Sequence, residues 1–238
     1  MLHQLDIYLK NSDISQLYSD LGIKLHGFIM SKIDTKYADL LHMQEPRPFS
    51  LFVYDSGNGF VCRISALNDE ALQIIEAVEN TDKITVYGID TPLIVEKISR
   101  SAQIDAKDIP GILPDNRYTL DIITSATRKT GGVYTNPPDF SKYFISVANK
   151  LQAYENISIE QNELEQLFSN IKINDYVYKS TKFLLGGNPI PAMIGSLDIS
   201  INPKKEQTKK IKLLLGYATY SGIGAKTSLG MGGLLLRA

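Results

Sequence analysis

The chain has 238 residues, 43% of them hydrophobic and 21% charged, enough to bury one large core or two small ones and outside the range of disordered or fibrous chains. Its net charge of -1 hides an asymmetry: up to Ile171 there are fifteen Lys/Arg against twenty-three Asp/Glu (-8), and beyond it ten against three (+7), the pattern of a surface that meets polyanions. No apolar run approaches the roughly eighteen residues of a membrane span, no signal-peptide pattern opens the chain, and Cys62 stands alone with no Cys/His cluster of metal-ligand spacing, so the expectation is a cytoplasmic protein with no membrane contact, disulfide, metal or cofactor.

Leu5-Asp6-Ile7-Tyr8-Leu9 alternates as a half-buried strand does. Asn11-Ser12-Asp13 then offers capping side chains for a helix over 14–33, whose apolar stripe runs through Leu17, Tyr18, Leu21, Leu25, Phe28 and Ile29. A short helical turn ends near His42, and Pro46 and Pro48 break the chain before a hairpin of strands 49–54 and 60–67 around Ser56-Gly57-Asn58-Gly59. Cys62 alternates with Phe60 and Ile64 and reads as core. A second helix carries Leu72, Ile75 and Val78, and two extended stretches follow at 83–87 and 92–98.

This βαββαβ order closes a first domain at 1–104. A linker at 105–117 contains two proline turns, Pro110-Gly111 and Pro114-Asp115. The same order repeats over 118–238: strand 119–124, helix 139–154, an added helix near 159–168, strands 176–185 and 192–201, helix 204–219 and a last strand at 233–237. The expected fold class is α+β, two tandem ferredoxin-like (RRM-like) domains. The lysines of the 204–219 helix (Lys204, Lys205, Lys209, Lys210, Lys212) read as a solvated face.

The most distinctive stretch spans 222–233, five glycines in twelve residues between a helix and the last strand. A helix C-cap and tight turn would need one glycine; this density favours a ligand-facing loop whose amides form an anion site, with Lys226 adding charge and Ser228 a hydroxyl. It is neither a mononucleotide P-loop nor a dinucleotide fingerprint, because it follows a helix instead of opening one.

This loop resembles the glycine-rich signature of the RAMP superfamily, and in particular of the CRISPR-associated endoribonucleases that cut precursor CRISPR RNA within its repeats. Other landmarks agree: Leu25-His26-Gly27-Phe28-Ile29; Leu40-Leu41-His42 before Pro46-Arg47-Pro48-Phe49-Ser50; Leu120-Asp121-Ile122-Ile123-Thr124 before Gly131-Gly132; and Leu185-Gly186-Gly187 leading through Ile190-Pro191 to Ile194-Gly195. The resemblance implies a metal-independent reaction in which the ribose 2′-OH attacks the adjacent phosphate, leaving a 2′,3′-cyclic phosphate and a 5′-OH. It implies CRISPR repeat RNA as partner, and leaves open effector-complex proteins, a homodimer, and the alternative of a non-catalytic RNA-binding scaffold subunit.

On the residues alone His42 reads first as a packing residue extending the turn of Leu40 and Leu41; the resemblance reverses this, since by position it matches the family's catalytic histidine, a general base or acid. The tyrosine that several relatives carry on the first helix is replaced by Met30, so either His26, one turn earlier, completes the catalytic set or the reaction relies on His42 with weaker support. Arg47 stands where relatives place a lysine and can stabilise charge on the phosphorane. For RNA binding the candidates are Gly222, Gly224, Lys226, Thr227, Ser228 and Gly230 in the loop, with Lys179 and Lys182 on the hairpin strand.

Overall fold

A computed structural model describes residues 1–10, 21–57, 59–113, 116–137, 139–201 and 205–238. The expected cap Asn11-Ser12-Asp13, the helix residues Ile14, Leu17 and Tyr18, Asn58, the Pro114-Asp115 turn and Lys204 lie outside them.

The first unit contains β1 (His3–Leu9), α1 (Leu21–Met30), α2 (Thr35–Met43), β2 (Phe49–Asp55), β3 (Phe60–Ala66), α3 (Leu72–Glu76), a two-residue β4 (Lys83–Ile84) and β5 (Leu93–Arg100). Its sheet order is β2-β3-β1-β5-β4, with β1 antiparallel to both β3 and β5. Alternation turns Leu5, Ile7 and Leu9 of β1, Leu51 and Val53 of β2, and Cys62 and Ile64 of β3 onto one face, where Leu25 and Ile29 of α1 and Ile74 and Ile75 of α3 cover them. Directly across β1 and β3, Asp6 accepts both Arg63 Nε and Nη2 at 2.7 Å, a bidentate pair that fixes register.

The second unit runs α4 (Ile109–Ile112), β6 (Arg117–Ala126), β7 (Arg128–Thr130), β8 (Val133–Thr135), a 3-10 turn over Phe140–Phe144, α5 (Ile145–Glu155), α6 (Gln161–Ser169), β9 (Ile171–Leu185), β10 (Asn188–Ile201), α7 (Lys205–Ser221), a 3-10 turn at Thr227–Leu229 and β11 (Leu234–Arg237). The main sheet has order β11-β6-β10-β9. With β4 set aside, the two sheets share one strand order, fourth-first-third-second, so the chain is α+β with two ferredoxin-like units in tandem. Tyr118, Leu120 and Ile122 of β6 and Leu197 and Ile199 of β10 pack under α5, α6 and the Ile211, Leu214, Leu215 and Ala218 stripe of α7.

Several sequence expectations need correction. Pro110-Gly111 is no turn but part of α4, where proline in the first helical turn sacrifices no hydrogen bond; Ile109 is buried so close to α7 that a Cβ on Gly216 would come within 2.3 Å of its Cγ2. The first helix ends at Met30 rather than 33, and residues 140–144 are 3-10 before α5 begins. The β7–β8 hairpin was missed, although Gly131 and Gly132, both with positive φ (56° and 83°), form the two-residue turn such hairpins use.

The units meet through the opposite face of the first sheet. Gln4 Nε2 donates to the Thr219 carbonyl at 3.5 Å, Ser50 Oγ donates to the Tyr220 carbonyl, and Phe52 fills the space beside Gly233. That is why β2 is buried on both sides from Phe49 to Val53. Across the same junction Gly22 of α1 lies against Gly230: a Cβ on Gly22 would sit 2.7 Å from the Gly230 Cα. No helix among the described residues is long and apolar enough to cross a membrane.

Candidate RNA-cleavage site

Asp34 caps α2, its Oδ1 accepting from the Lys36 and Tyr37 amides, and the helix buries Tyr37, Ala38 and Leu41. His42, the next position round, is therefore exposed, and the packing alternative falls to Leu41. On α1, Leu25 and Ile29 face the core, while His26 turns toward α2, with 8% of its surface exposed. Its ring stacks on Phe49 (centroids 5.9 Å apart, planes at 4°) and meets the ring of His42 edge-on at 6.5 Å and 72°. Met30 packs against the core of the first unit.

Arg47 arrives from the segment between α2 and β2. Tyr154 of α5 holds that segment by donating its hydroxyl to the Pro46 carbonyl, and the amide of Leu67 donates to the Pro48 carbonyl at 2.8 Å. Arg47 Nη1 in turn donates to Ser228 Oγ at 3.1 Å, joining residues 181 apart in the chain. His26 also hydrogen-bonds with the Ser228 backbone. One serine thus ties together the imidazole of the first helix and the guanidinium that follows the second.

Burial is the main cause that pushes His26 down to about 4, helped by the nearby charge of Arg47 and by His42, against the opposing Ser228 hydrogen bond. At neutral pH the ring is uncharged. Its Nδ1 and the Nε of Arg47 are buried with no hydrogen-bond partner among the described residues.

The loop's glycines answer mainly to packing. A Cβ on Gly224 would fall 2.2 Å from the Thr127 carbonyl, on Gly232 1.9 Å from that of Ile223, and on Gly230 2.8 Å from the Gly22 Cα. The amides of Gly224, Ala225 and Gly232 are bonded to the carbonyls of Tyr143, Thr127 and Ser125. A loop packed this tightly between two units needs bare backbone at each approach, so glycine density marked a junction as much as a ligand site. What stays open is the middle of the loop: Gly224, Lys226, Thr227 and Ser228 line a cleft of about 660 Å³, whereas Gly222 and Gly230 do not.

That cleft is strongly basic. Arg47, Arg128, Lys129, Lys142, Lys150 and Lys226 line it, with Glu45 the one acidic lining residue. Sequence reasoning missed Arg128 and Lys129 because it missed the β7–β8 hairpin that carries them. It missed Lys150 although its place on the Val147–Leu151 stripe of α5 was a signal, since a lysine on an apolar helix face needs a reason. Lys179 and Lys182 do not line the cleft; three residues apart on β9, they face opposite sides of the strand. Lys179 faces a separate groove with Tyr54 and Asp121. Among the described residues no group of three or more His, Cys, Asp or Glu side chains could hold a metal ion.

The profile of a family described as CRISPR-associated endoribonuclease Cas6 matches residues 120–234. The chain is 31% identical over 232 residues to the CRISPR-associated endoribonuclease Cas6 of Streptococcus thermophilus, covering 91% of each chain. It is 25% identical over 222 residues to the Mycobacterium tuberculosis protein of the same description, covering 90% of this chain and 71% of that one. Among solved structures, a Cas6 product complex superposes with a TM-score of 0.79 at 18% identity, covering 100% and 99% of the two chains. Thermus thermophilus Cas6 superposes with a TM-score of 0.73 at 17% identity over 100% and 98%.

Proposed function

The chain belongs to the Cas6 family of CRISPR-associated endoribonucleases, and on that premise we propose that it cuts CRISPR precursor RNA within its repeats by attack of a ribose 2′-OH on the adjacent phosphate, without a metal ion. The observation that carries this reading is that His26 and Arg47 meet at Ser228, Arg47 and Ser228 lining a basic cleft, with the exposed ring of His42 edge-on to that of His26.

The reaction needs proton transfer at the 2′-oxygen or the leaving 5′-oxygen, and a cation for the phosphorane. His42 is the imidazole open to solvent, and an imidazole can both accept and give a proton at the reacting oxygens. It moves the proton. Arg47, held by Ser228 and permanently charged, faces the dianionic phosphorane. His26, buried and neutral, backs the ring of His42 in this reading. Arg128, Lys129 and Lys226 of the cleft neutralise flanking phosphates.

The test is single-turnover cleavage of a labelled repeat RNA. His42→Ala is expected to slow cutting by about 10²- to 10⁴-fold with RNA affinity retained, and EDTA to leave the wild-type rate unchanged. The product of the wild type should carry a cyclic phosphate. Binding with no cut by the wild type would turn the reading to a scaffold subunit, and an undiminished rate in His42→Ala would remove the assigned mechanism.

A further inference from the structure

Lys150 is a buried cation that the chemistry above does not use. Its side chain reaches the floor of the basic cleft from α5 with 4% of its surface exposed. Among the described residues it makes no ion pair. Instead its Nζ donates to the carbonyl of Ser221, the last residue of α7, at 2.5 Å and to Thr227 Oγ1 at 2.6 Å. Burying an ammonium without a carboxylate is costly, and here burial pushes its pKa down to about 7, with only the charge of Glu45 opposing.

Those two bonds span the loop at the point that matters. Ser221 and Thr227 bracket the turn at 222–226, and the residue after Thr227 is Ser228, which holds Arg47 through its hydroxyl and His26 through its backbone. Lys226, at the end of this turn, has the left-handed backbone (φ 62°) that a side-chain-bearing residue adopts only when its surroundings impose it. The Lys226 carbonyl also receives the amides of Leu229 and Met231.

We propose that Lys150 is a positioning residue for RNA cleavage: by bridging Ser221 and Thr227 it fixes the turn that presents Ser228, and so sets Arg47 and His26 beside the exposed imidazole of His42. The assignment rests on the cleavage reading above. Lys150 touches neither RNA nor the reacting atoms; it acts through Thr227. Displacing the guanidinium by an ångström is enough to slow a positioned reaction about a hundredfold.

The test uses the full chain, a labelled repeat RNA, and the variants Lys150→Met, Thr227→Val and the double. Valine keeps the Thr227 methyl that packs on Gly222 and removes only the hydroxyl. Single-turnover rate at saturating protein and RNA affinity are measured separately, well below each variant's Tm. Each single change is expected to lower the rate about 10- to 100-fold with affinity within about twofold, and the double to be no slower than the slower single. Multiplying effects in the double would overturn the proposal, as would weakened affinity at an intact rate, which marks a phosphate contact, or an intact rate with a lowered Tm, which marks a packing role. If Lys150→Met fails to fold, Thr227→Val cutting at the wild-type rate still refutes the coupling. Hydrogen exchange at the Leu229 and Met231 amides, expected to quicken in Lys150→Met, reads the turn without reference to activity. A wild type that cuts no RNA would therefore sink the cleavage reading alone, whereas unchanged exchange would sink this one.

Discussion

Lowering the pH from 7 to 5 tests the buried state of His26 directly. In the unfolded chain an imidazole titrates near 6.5, and in the folded protein this one is pushed down to about 4 by burial, Arg47 and His42. Between those values the unfolded chain takes up a proton that the folded chain refuses, so stability falls as pH falls through this window and has lost its full increment below pH 4. At about 1.36 kcal/mol per unit, the shift is worth roughly 3 kcal/mol at that limit, and about 2 kcal/mol at pH 5. His3, whose pKa is also lowered, chiefly by burial, adds in the same direction, and paired carboxylates add their own acid sensitivity. A difference experiment cancels both: urea unfolding of wild type and His26→Gln at pH 7 and pH 5. Glutamine keeps a donor for the Ser228 backbone but has nothing to titrate. The wild type is expected to lose about 2 kcal/mol more than the variant between the two pH values. Equal losses would show that the ring is not held neutral, and with it the division of labour between the two histidines would go.

Two further outcomes follow from the junction and the cleft. Gly22→Ala would drive a Cβ into the Gly230 backbone at 2.7 Å and is expected to cost about 1 to 3 kcal/mol, whereas Gly27→Ala on the same helix meets nothing within 4 Å and is expected to gain up to about 1 kcal/mol from helix propensity; thermal unfolding of both decides, and equal Tm values would contradict the close approach. Arg128→Ala and Lys226→Ala are each expected to flatten the slope of log affinity against log salt by about 0.7 to 0.9, while Lys209→Ala, exposed on α7 away from the cleft, leaves it unchanged; a slope insensitive to the first two would take RNA out of this cleft.

The strands and helices were legible in the sequence because they answer to local periodicity. Leu5, Ile7 and Leu9 announce their face by alternation, Cys62 does so between Phe60 and Ile64, and the glycines of 222–233 mark a backbone that must bend or approach closely. Short pieces escaped: the β7–β8 hairpin is only three residues on each side, too few for alternation to register, and α4 looked like a turn because proline and glycine signal breaks more readily than first turns of helices.

By itself, then, the sequence determined the two βαββαβ units, their core faces, and three candidate residues for a reaction. Only the tertiary structure decided that two of those three meet at one serine, that His26 is neutral while His42 is open to solvent, that Lys179 and Lys182 part company across a strand, and that a lysine on an apolar helix face braces the turn. The physical reason is range: periodicity reports which way a side chain points relative to its own element, whereas burial and charge at the site arise where Arg47 and Ser228, at opposite ends of the chain, are brought to hydrogen-bonding distance.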